Sequence, residues 1–402
     1  MRVLFANDYG TPDGGVEIAT LHLRDGLRAR GHDTRIFSSS ARENRTSSSD
    51  ADVDCFGTTG RARTLLQTAN VFAWRKLARV LADFKPDVVH VGMCLTQLSP
   101  LILPLLRGRT AIYHAHWLRA ICPTGFKMLP DGSPCGNPAG RACLRSNCLP
   151  LRDWVPLMVQ RRLWKRWSGV FDRVIANSEA TRSALEEAGV ANPMTIPCGV
   201  PDRPSTRLMA HGPTAFFAGR VTVQKGVHVL LDAWRSVAAD LPEARLLIAG
   251  DGPERARLER TAPPGVVFLG TLSPEELDRL ASTAWIQVVP SLGFEPFGLV
   301  TAEAMMRGRG VIASRVGGTP ELVRDGETGS LVDAGDPDAL ADALTIALRD
   351  RSSCERMGER GRRFAEERCS VDLFVDRFIG LYEELIAGEP DPRCKQAIPI
   401  AK

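Results

Sequence analysis

Short apolar runs alternate with amphipathic segments along most of this 402-residue chain. This alternation is typical of parallel β-strands joined by crossover helices. The first run, Arg2 to Asn7, is followed by a Gly-rich loop and then by a predicted helix from Val16 to Arg30, closed by Gly31. The pattern therefore predicts an α/β protein with parallel sheets.

A polar segment rich in Pro and Gly, Gly199 to Pro213, divides the pattern into two halves. We expect two Rossmann-like domains, at residues 1–200 and 207–370, facing each other across a cleft. A last amphipathic helix at 371–386 could pack on either domain. Residues 39–60, rich in Ser, Thr and Asp, predict a mobile loop. Further strands are predicted at 33–39, 87–92, 110–115, 172–177, 193–198, 214–219, 244–250, 266–270, 285–290, 310–314 and 329–333.

Two helix starts carry capping signals. Ser178 is a predicted N-cap, and Ser273 to Glu276 reads as a capping box with Pro274 in the first helical position. Both predictions place a helix directly after a predicted strand or after the loop that follows one.

Composition narrows the function classes. Hydrophobic residues make up 44% of the chain, enough for packed cores, and the net charge of +4 is too mild to indicate nucleic-acid binding. The start of the chain has no signal-peptide pattern, and the apolar stretch from Leu98 to Leu106 is too short to span a bilayer. Ten scattered cysteines favour reduced thiols. We expect a cytoplasmic enzyme, with peripheral contact at the inner membrane face as an alternative.

A basic loop follows the predicted strand at 214–218. Gly219, Arg220, Lys225 and Gly226 stand just before a predicted helix. Glycines allow close approach of the backbone, and the two cations with the positive helix start suit a pyrophosphate. An ordinary solvated surface loop is the alternative.

The stretch GFEPFGLVTAE holds two glutamates. Pro296 disfavours helix at Glu295, so Glu295 is expected at a loop tip, while a helix starting near Phe297 or Gly298 places Glu303 in its second turn. Two carboxylates with a helix start between them could bind a sugar, a diphosphate and a ribose. Two solvated surface charges are the alternative.

These motifs, with IAGDGPE, VVFLGTLSPEEL, SRVGGTPELV and the Gly-Gly loop near the start, occur in an order and spacing that resemble one family. The chain is similar to the retaining glycosyltransferases of family 4, which have the GT-B fold. EPFGLVTAE matches the E-x7-E signature of that family, and GRVTVQKG matches its G-R-x4-K-G stretch.

The resemblance implies a role for each matching residue. Arg220 and Lys225 would bind the donor diphosphate with Gly219, Glu295 would hold sugar hydroxyls, and Glu303 would hold the ribose. The remaining donor contacts would come from Phe297, from the amides of Gly298, Leu299 and Val300, from Gly270, Thr271 and Leu272 beside the base, and from Gly14 and Gly15 of the other domain. The family normally needs neither a metal nor a cofactor. A nucleotide sugar of UDP or GDP type and a hydroxyl acceptor (a glycan, lipid-linked glycan or secondary metabolite) are the expected partners.

Two histidines follow the strand at 110–115. The family has a His-Asp pair here, and a subset has Cys-Pro six residues on; His116 and Cys122 keep that spacing, with Trp117 where Asp is usual. We expect His116 to act in catalysis, by a hydrogen bond to the donor sugar or the acceptor. His114 is expected to be structural.

Two further features leave alternatives open. Cys122, Cys135, Cys143 and Cys148 could bind zinc, but the spacing lacks a C-x2-C pair, so disulfides or free thiols are alternatives. Residues 152–173 predict a basic helix with Trp154, Trp164 and Trp167, which either lies on an anionic membrane or is a domain helix with a solvated basic side. An Asp-x-Asp pattern also occurs within Asp50 to Asp54, in the Ser-rich loop and without support from the family pattern.

Rival functions are less well matched. An epimerase acting on nucleotide sugars would need further charged groups at the anomeric carbon. A phosphorylase would need a pyridoxal lysine motif. A dinucleotide-dependent oxidoreductase would need G-x-G-x-x-G, which GTPDGG is not. A non-catalytic protein that binds sugar nucleotides remains as an alternative, which the intact Glu295, Glu303, Arg220 and Lys225 disfavour. The identity of the base, the sugar and the acceptor does not follow from the sequence.

Overall fold

A computed structural model describes residues 1–12, 14–42, 48–60, 63–203 and 209–388. Parts of the predicted Gly-rich loop, the Ser-rich loop and the linker (residues 13, 43–47 and 204–208) lie outside the described residues. The chain forms two compact units. Unit 1 comprises residues 1–125, 136–199 and the C-terminal segment from Val371. Unit 2 comprises residues 126–135 and 200–370.

Unit 1 contains a parallel sheet of seven strands in the order β3-β2-β1-β4-β5-β6-β7. The reversal of strand order between β1 and β4 is the doubly wound pattern of Rossmann-like folds. The strands are β1 Arg2–Tyr9, β2 Asp33–Ser39, β3 Val53–Cys55, β4 Val88–Val91, β5 Ala111–Ala115, β6 Arg173–Ala176 and β7 Pro193–Thr195.

The helices of unit 1 are α1 Gly15–Ala29, α2 Arg63–Thr68, α3 Val71–Phe84, α4 Arg141–Arg145, α5 Leu151–Trp167, α6 Glu179–Glu187 and, from the end of the chain, α14 Val371–Ala387. α6 begins after the predicted N-cap: the Ser178 side chain accepts the amide of Thr181. The strand β3 lies in the segment predicted to be a mobile loop, so that prediction was wrong there. β3 was missed because an edge strand of only three residues is too short to carry a periodic signal.

The C-terminal helix α14, for which the sequence left both domains open, packs in unit 1. Its buried face, from Phe374 to Tyr382, joins the core formed by β1, β4, β5 and α1. Arg30 at the end of α1 forms ion pairs with Asp372 and Asp376 of α14, both at 3.0 Å. Burial of aromatic side chains supplies most of the stabilisation, because exposed ion pairs contribute little.

Unit 2 contains a parallel sheet of six strands in the order β10-β9-β8-β11-β12-β13. The strands are β8 Thr214–Ala218, β9 Arg245–Ala249, β10 Val266–Gly270, β11 Ile286–Val289, β12 Gly310–Ser314 and β13 Gly329–Val332. The helices are α7 Val227–Asp240, α8 Arg255–Arg260, α9 Pro274–Thr283, α10 Leu299–Met306, α11 Thr319–Leu322, α12 Pro337–Arg349 and α13 Arg351–Cys369. The predicted capping box of Ser273 and Glu276 is present at the start of α9.

No helix in the described part of the chain is long and apolar enough to cross a bilayer.

The strand order and the parallel pairing make both units α/β Rossmann-like domains with parallel sheets, as the alternation of apolar runs predicts.

Candidate functional site

In unit 2, the loops that follow β8 and β11 are joined by backbone hydrogen bonds. The carbonyl of Gln224 accepts the amides of Leu292 and Gly293, at 2.9 and 3.1 Å. Gly226, at φ 67°, leaves no room for a Cβ, which would lie 1.8 Å from the carbonyl oxygen of Pro290. The two predicted motifs, on Arg220 to Gly226 and on Gly293 to Glu303, are therefore held side by side at the carboxyl ends of adjacent strands.

Glu295 forms an ion pair with Lys225, with 2.6 Å between Oε1 and Nζ. The Ser291 hydroxyl donates to the same oxygen, also at 2.6 Å. Burial alone would raise the pKa of Glu295. The charge and hydrogen bond of Lys225, the Ser291 hydroxyl and the charge of Arg220 outweigh burial and lower the pKa below its usual range. Glu295 is thus a carboxylate at neutral pH and can only accept hydrogen bonds.

Arg220 is exposed and makes no ion pair within the described residues. Its charge nevertheless acts on Glu295. The Lys225 ammonium donates to Glu295, and an ammonium group can donate three hydrogen bonds, so it has donors left for a ligand. The loop therefore offers unneutralised positive charge next to an ionised carboxylate, which suits an anion that carries hydroxyl groups.

Helix α10 begins after Gly298, which has φ 96°. This left-handed conformation favours glycine and aims the free amides of the first turn, from Leu299 and Val300, away from the helix. The start at Leu299 is one to two residues later than predicted. The Phe297 side chain is buried, so any contact of Phe297 with a ligand would come from its backbone.

Glu303 lies in the second turn of α10, as predicted, with neighbours of its own. Its Oε2 is 3.9 Å from Arg307, one turn further along the helix. Arg307 is buried and is bonded more closely to Asp278, at 2.6 and 2.9 Å. Burial raises the pKa of Glu303, and the charge of Asp278 adds to this, against the opposing effect of Arg307 and Arg203.

Gly270 ends β10 with φ 71°, and its carbonyl accepts the amide of Gly250 at 2.7 Å. Thr271 is exposed, and Leu272 is partly buried against the small apolar cluster around Phe216. These residues stand at the carboxyl end of the sheet, where ligands of doubly wound folds bind.

Sequence reasoning missed several residues at this site. Ser291 precedes the motif and has no signal of its own. The segment from Phe126 to Cys135 belongs to unit 2, and the carbonyl of Phe126 accepts the amide of Phe294 at 3.1 Å. The hydroxyls of Thr301 and Thr319 are buried without a partner among the described residues. Ser291, Thr301 and Thr319 lie in or next to the motifs, whereas only tertiary structure brings Phe126 to the loop, and no local pattern records the burial or the partners of these groups.

In unit 1, Gly14 is the N-cap residue of α1 and Gly15 its first residue, at the carboxyl end of β1. The Glu17 side chain lies close enough to Gly14 that a Cβ there would meet its carboxylate at 2.4 Å. Glycine at position 14 therefore makes room for the Glu17 carboxylate at the helix start, and phosphate binding by Gly14 and Gly15 stays a prediction.

A chain of hydrogen bonds links three buried histidines of unit 1. His90 Nδ1 is 2.6 Å from the Tyr382 hydroxyl and His90 Nε2 is 3.1 Å from His114 Nδ1. His114 Nε2 is 2.6 Å from Asn177 Oδ1, and Asn177 Nδ2 is 3.4 Å from His116 Nδ1. His116 Nε2 has no partner among the described residues.

This series of hydrogen bonds fixes which ring nitrogens of the histidines carry protons. Asn177 Oδ1 can only accept, so His114 Nε2 is the donor and His114 Nδ1 accepts from His90. At the other end Asn177 Nδ2 donates to His116 Nδ1, so His116 presents an N–H at Nε2. Burial lowers the pKa of all three histidines, that of His114 to about 4, and keeps them neutral at pH 7. His116 is thus a neutral hydrogen-bond donor, and His114 has the structural position expected for it.

The four cysteines for which zinc binding was one of three alternatives do not form a metal site. In the described part of the chain, no group of three or more His, Cys, Asp or Glu side chains could hold a metal ion. The chain between Cys122 and Cys148 is divided between the units, with Cys135 in unit 2 and Cys143 in unit 1. The Asp-x-Asp pattern is also structural: Asp52 accepts the amide of Ile36 and Asp54 accepts the Ser38 hydroxyl.

The predicted basic helix at 152–173 corresponds to α5 and the turn after it. Its tryptophans are poor candidates for membrane anchors. Trp164 is buried and packs against Tyr113, with 4.7 Å between the rings. Trp154 is partly buried and donates to the carbonyl of Gly140.

Comparison with known proteins identifies relatives of both halves. The family model "Glycosyltransferase Family 4" matches residues 13–203, and the model "Glycosyl transferases group 1" matches residues 202–364. The chain is 37% identical over 160 residues to sulfoquinovosyl transferase SQD2 of Arabidopsis thaliana, across 39% of this chain and 30% of that protein.

A second relative is alpha-maltose-1-phosphate synthase of Mycobacterium tuberculosis, 35% identical over 189 residues, across 44% of this chain and 49% of that protein. The chain thus matches about half or less of the length of these curated relatives. The structure of HepE from Anabaena, solved with UDP and glucose, shares the fold, with a TM-score of 0.69 and 20% identity, and covers 96% of this chain and 100% of that one.

Proposed function

The chain belongs to glycosyltransferase family 4, and we propose that it moves a hexose-type sugar from a nucleoside diphosphate to a hydroxyl acceptor with retention at the anomeric carbon. One observation carries the proposal: the Lys225–Glu295 pair at 2.6 Å, with Arg220 exposed beside it, at the carboxyl ends of β8 and β11. The cations stabilise an anionic leaving group, and the ionised carboxylate of Glu295 accepts hydrogen bonds from sugar hydroxyls.

Each residue then has a role in the transfer. Arg220 and Lys225 bind the diphosphate, with the amides of Leu299 and Val300, and Glu295 accepts hydrogen bonds from sugar hydroxyls. Glu303 holds the ribose diol, and the segment from Gly270 to Leu272 borders the base. In unit 1, Gly14 and Gly15 offer backbone amides for phosphate, and the Nε2–H of His116 donates to an oxygen of the sugar or the acceptor.

The chemistry requires stabilisation of a departing diphosphate. The bond from the anomeric carbon to the diphosphate oxygen breaks, and the acceptor oxygen bonds to the same face of that carbon. The acceptor proton passes to the departing diphosphate. Negative charge grows on the diphosphate as the bond breaks, so fixed cations and helix amides stabilise the transition state more than the ground state. No protein nucleophile is needed.

We infer that the donor is of the UDP type. HepE, which shares the fold, was solved with UDP and glucose. The acceptor is a hydroxyl compound such as a glycan, a lipid-linked glycan or a secondary metabolite.

Ligand-induced thermal stabilisation tests the donor. UDP should raise the unfolding temperature, because a ligand at one hundred times its Kd stabilises the folded state by about 2.7 kcal/mol. GDP and ADP serve as matched controls for the base, and NAD⁺ for an oxidoreductase. No shift with any nucleoside diphosphate, or a shift with NAD⁺ alone, would overturn the proposal.

Product analysis separates transfer from the rival functions. With a UDP-sugar and an acceptor panel, an α-linked product from an α-linked donor shows retention. Release of a free epimer without acceptor would instead indicate an epimerase. UDP-sugar binding without turnover on any acceptor would favour a non-catalytic binding protein.

A further inference from the structure

Exposed large apolar side chains are concentrated in two segments of unit 1. Of the eleven such side chains among the described residues, eight lie in residues 56–74 and 151–159. Leu65 is 70% exposed and Phe72 is 56% exposed. We name these eight the apolar face: Phe56, Leu65, Val71, Phe72, Trp74, Leu151, Val155 and Val159. Such clustering marks an interaction site, because singly scattered apolar residues are the norm on surfaces.

The two segments of the apolar face are neighbours. Helix α2 is bonded to α5 through Thr64, whose hydroxyl is 3.2 Å from Asp153, and through Thr68, whose hydroxyl donates to the carbonyl of Pro156 at 3.2 Å. Helix α3 begins three residues after α2 ends. The rings of Phe56 and Phe72 lie 5.3 Å apart.

On α5 the apolar face continues into a basic stripe. Leu151, Val155 and Val159 are spaced by one helical turn, and Arg162 and Arg166 extend the same side of the helix. All five are exposed. The first half of this side is therefore apolar and the second half is cationic.

The cations around the apolar face are not neutralised. Arg75, Lys76 and Arg79 on α3, and Arg162, Lys165 and Arg166 on α5, are exposed and make no ion pair within the described residues. Positive charge on α3 and α5 is thus left for an external anion.

A basic pocket lies at the end of α5. It has a volume of about 650 Å³, and its lining includes three arginines, Arg107, Arg109 and Arg166, against one carboxylate, that of Asp172. The three arginines are exposed. Arginine forks match the geometry of phosphate oxygens, so the pocket suits a phosphate headgroup.

We propose that the apolar face and its cations dock unit 1 on an anionic lipid surface. The aliphatic and aromatic side chains enter the boundary between headgroups and acyl chains, and the cations bind lipid phosphates. Charge decides against a second copy of this chain as the occupant, because a symmetric contact would bring the same unpaired cations together. The contact residues are those of the apolar face, in place of the tryptophans that the sequence suggested.

Vesicle co-sedimentation of the purified full chain tests the docking. We expect binding to vesicles of phosphatidylcholine with phosphatidylglycerol to be at least about tenfold stronger than to pure phosphatidylcholine, and to weaken as salt screens the cations. The double variant Phe72→Ser, Val155→Ser should bind at least about tenfold more weakly. The matched control is Val267→Ser, Ile346→Ser, which removes two exposed apolar side chains of unit 2 and should bind as the wild type does.

A second variant guards against misfolding. Lys165→Glu, Arg166→Glu changes only exposed side chains and should abolish the preference for phosphatidylglycerol. Equal wild-type binding to both vesicle types would overturn the proposal, as would wild-type-like binding by both double variants. A wild-type dimer that Phe72→Ser, Val155→Ser converts to a monomer would also overturn it, in favour of a second copy. UDP binding should be unchanged in all variants, so the outcome is independent of the proposed transfer.

Discussion

Glu295 and Glu303 belong to one short stretch of sequence but lie in opposite electrostatic surroundings. Glu295 sits at a loop tip, 2.6 Å from Lys225 and within the field of Arg220, and its pKa is lowered. Glu303 sits on α10, where burial dominates and the nearest cation, Arg307, is committed to Asp278, so its pKa is raised. One carboxylate is held ionised by cations, and the other keeps its proton more readily.

The separate surroundings of the two carboxylates, and not their pKa shifts, argue against an acid/base pair acting on one reacting atom. The two side chains have separate sets of neighbours, with Ser291 and Lys225 around one and Arg307 and Asp278 around the other. The comparison instead supports two binding roles, for the sugar at Glu295 and for the ribose at Glu303. The predictions below test that assignment.

The largest effect is expected from Lys225→Ala. The variant removes a diphosphate ligand and leaves Glu295 without its ion-pair partner, so UDP affinity should fall by about 10- to 100-fold, the range for a lost hydrogen bond to a charged group. Isothermal titration calorimetry measures the loss. Arg235→Ala on α7, which removes another exposed cation of unit 2, is the control and should bind normally. UDP affinity within twofold of wild type for Lys225→Ala would remove Lys225 from the site.

Smaller effects are expected when each glutamate is changed alone, and the two variants should differ in which property changes, UDP affinity or kcat. Glu303→Gln should weaken binding of UDP, which contains the ribose, by about tenfold. Glu295→Gln should leave UDP affinity unchanged or raise it, because UDP lacks the transferred hexose and Lys225 is released, but should lower kcat for transfer by about tenfold or more. Calorimetry with UDP and a transfer assay separate the two. If Glu295→Gln weakened UDP binding as much as Glu303→Gln, the separate roles would be wrong.

The smallest expected effect is a decline in UDP affinity as the pH falls. The pKa of Glu303 is raised, so as pH falls from 7 its carboxylate is protonated before that of Glu295, and UDP affinity should decline in that window by a few-fold. The free energy of unfolding depends on pH in the opposite direction to UDP affinity. The folded state binds this proton more tightly than the unfolded state, so the contribution of Glu303 to the free energy of unfolding is present at low pH and is lost as pH rises through the raised pKa.

Glu303→Gln supplies the check on this step. UDP affinity of that variant, measured from pH 7 down to pH 5, should change less than that of the wild type. A step of the same size in both proteins would assign the titration to another group.

Local steric rules explain what could be predicted from the sequence. Strands were located within one to three residues because buried apolar runs mark them, and the loop position of Glu295 followed from Pro296. Helix boundaries were less certain, and α10 starts at Leu299 because Gly298 takes the left-handed conformation before it. The edge strand β3 and the unit 2 segment from Phe126 to Cys135 carry no periodic signal, so neither was found.

The sequence by itself determined the two parallel-sheet domains, the order of the motifs and the family, since periodicity and turn residues act over a few neighbours along the chain. Only the tertiary structure decided the environment of each group. It gave Glu295 and Glu303 opposite pKa shifts, fixed the donor nitrogen of His116 through Asn177, and buried Trp164 while exposing Val155. Burial, charge and hydrogen bonding act through space between residues far apart in sequence, so no local pattern records them.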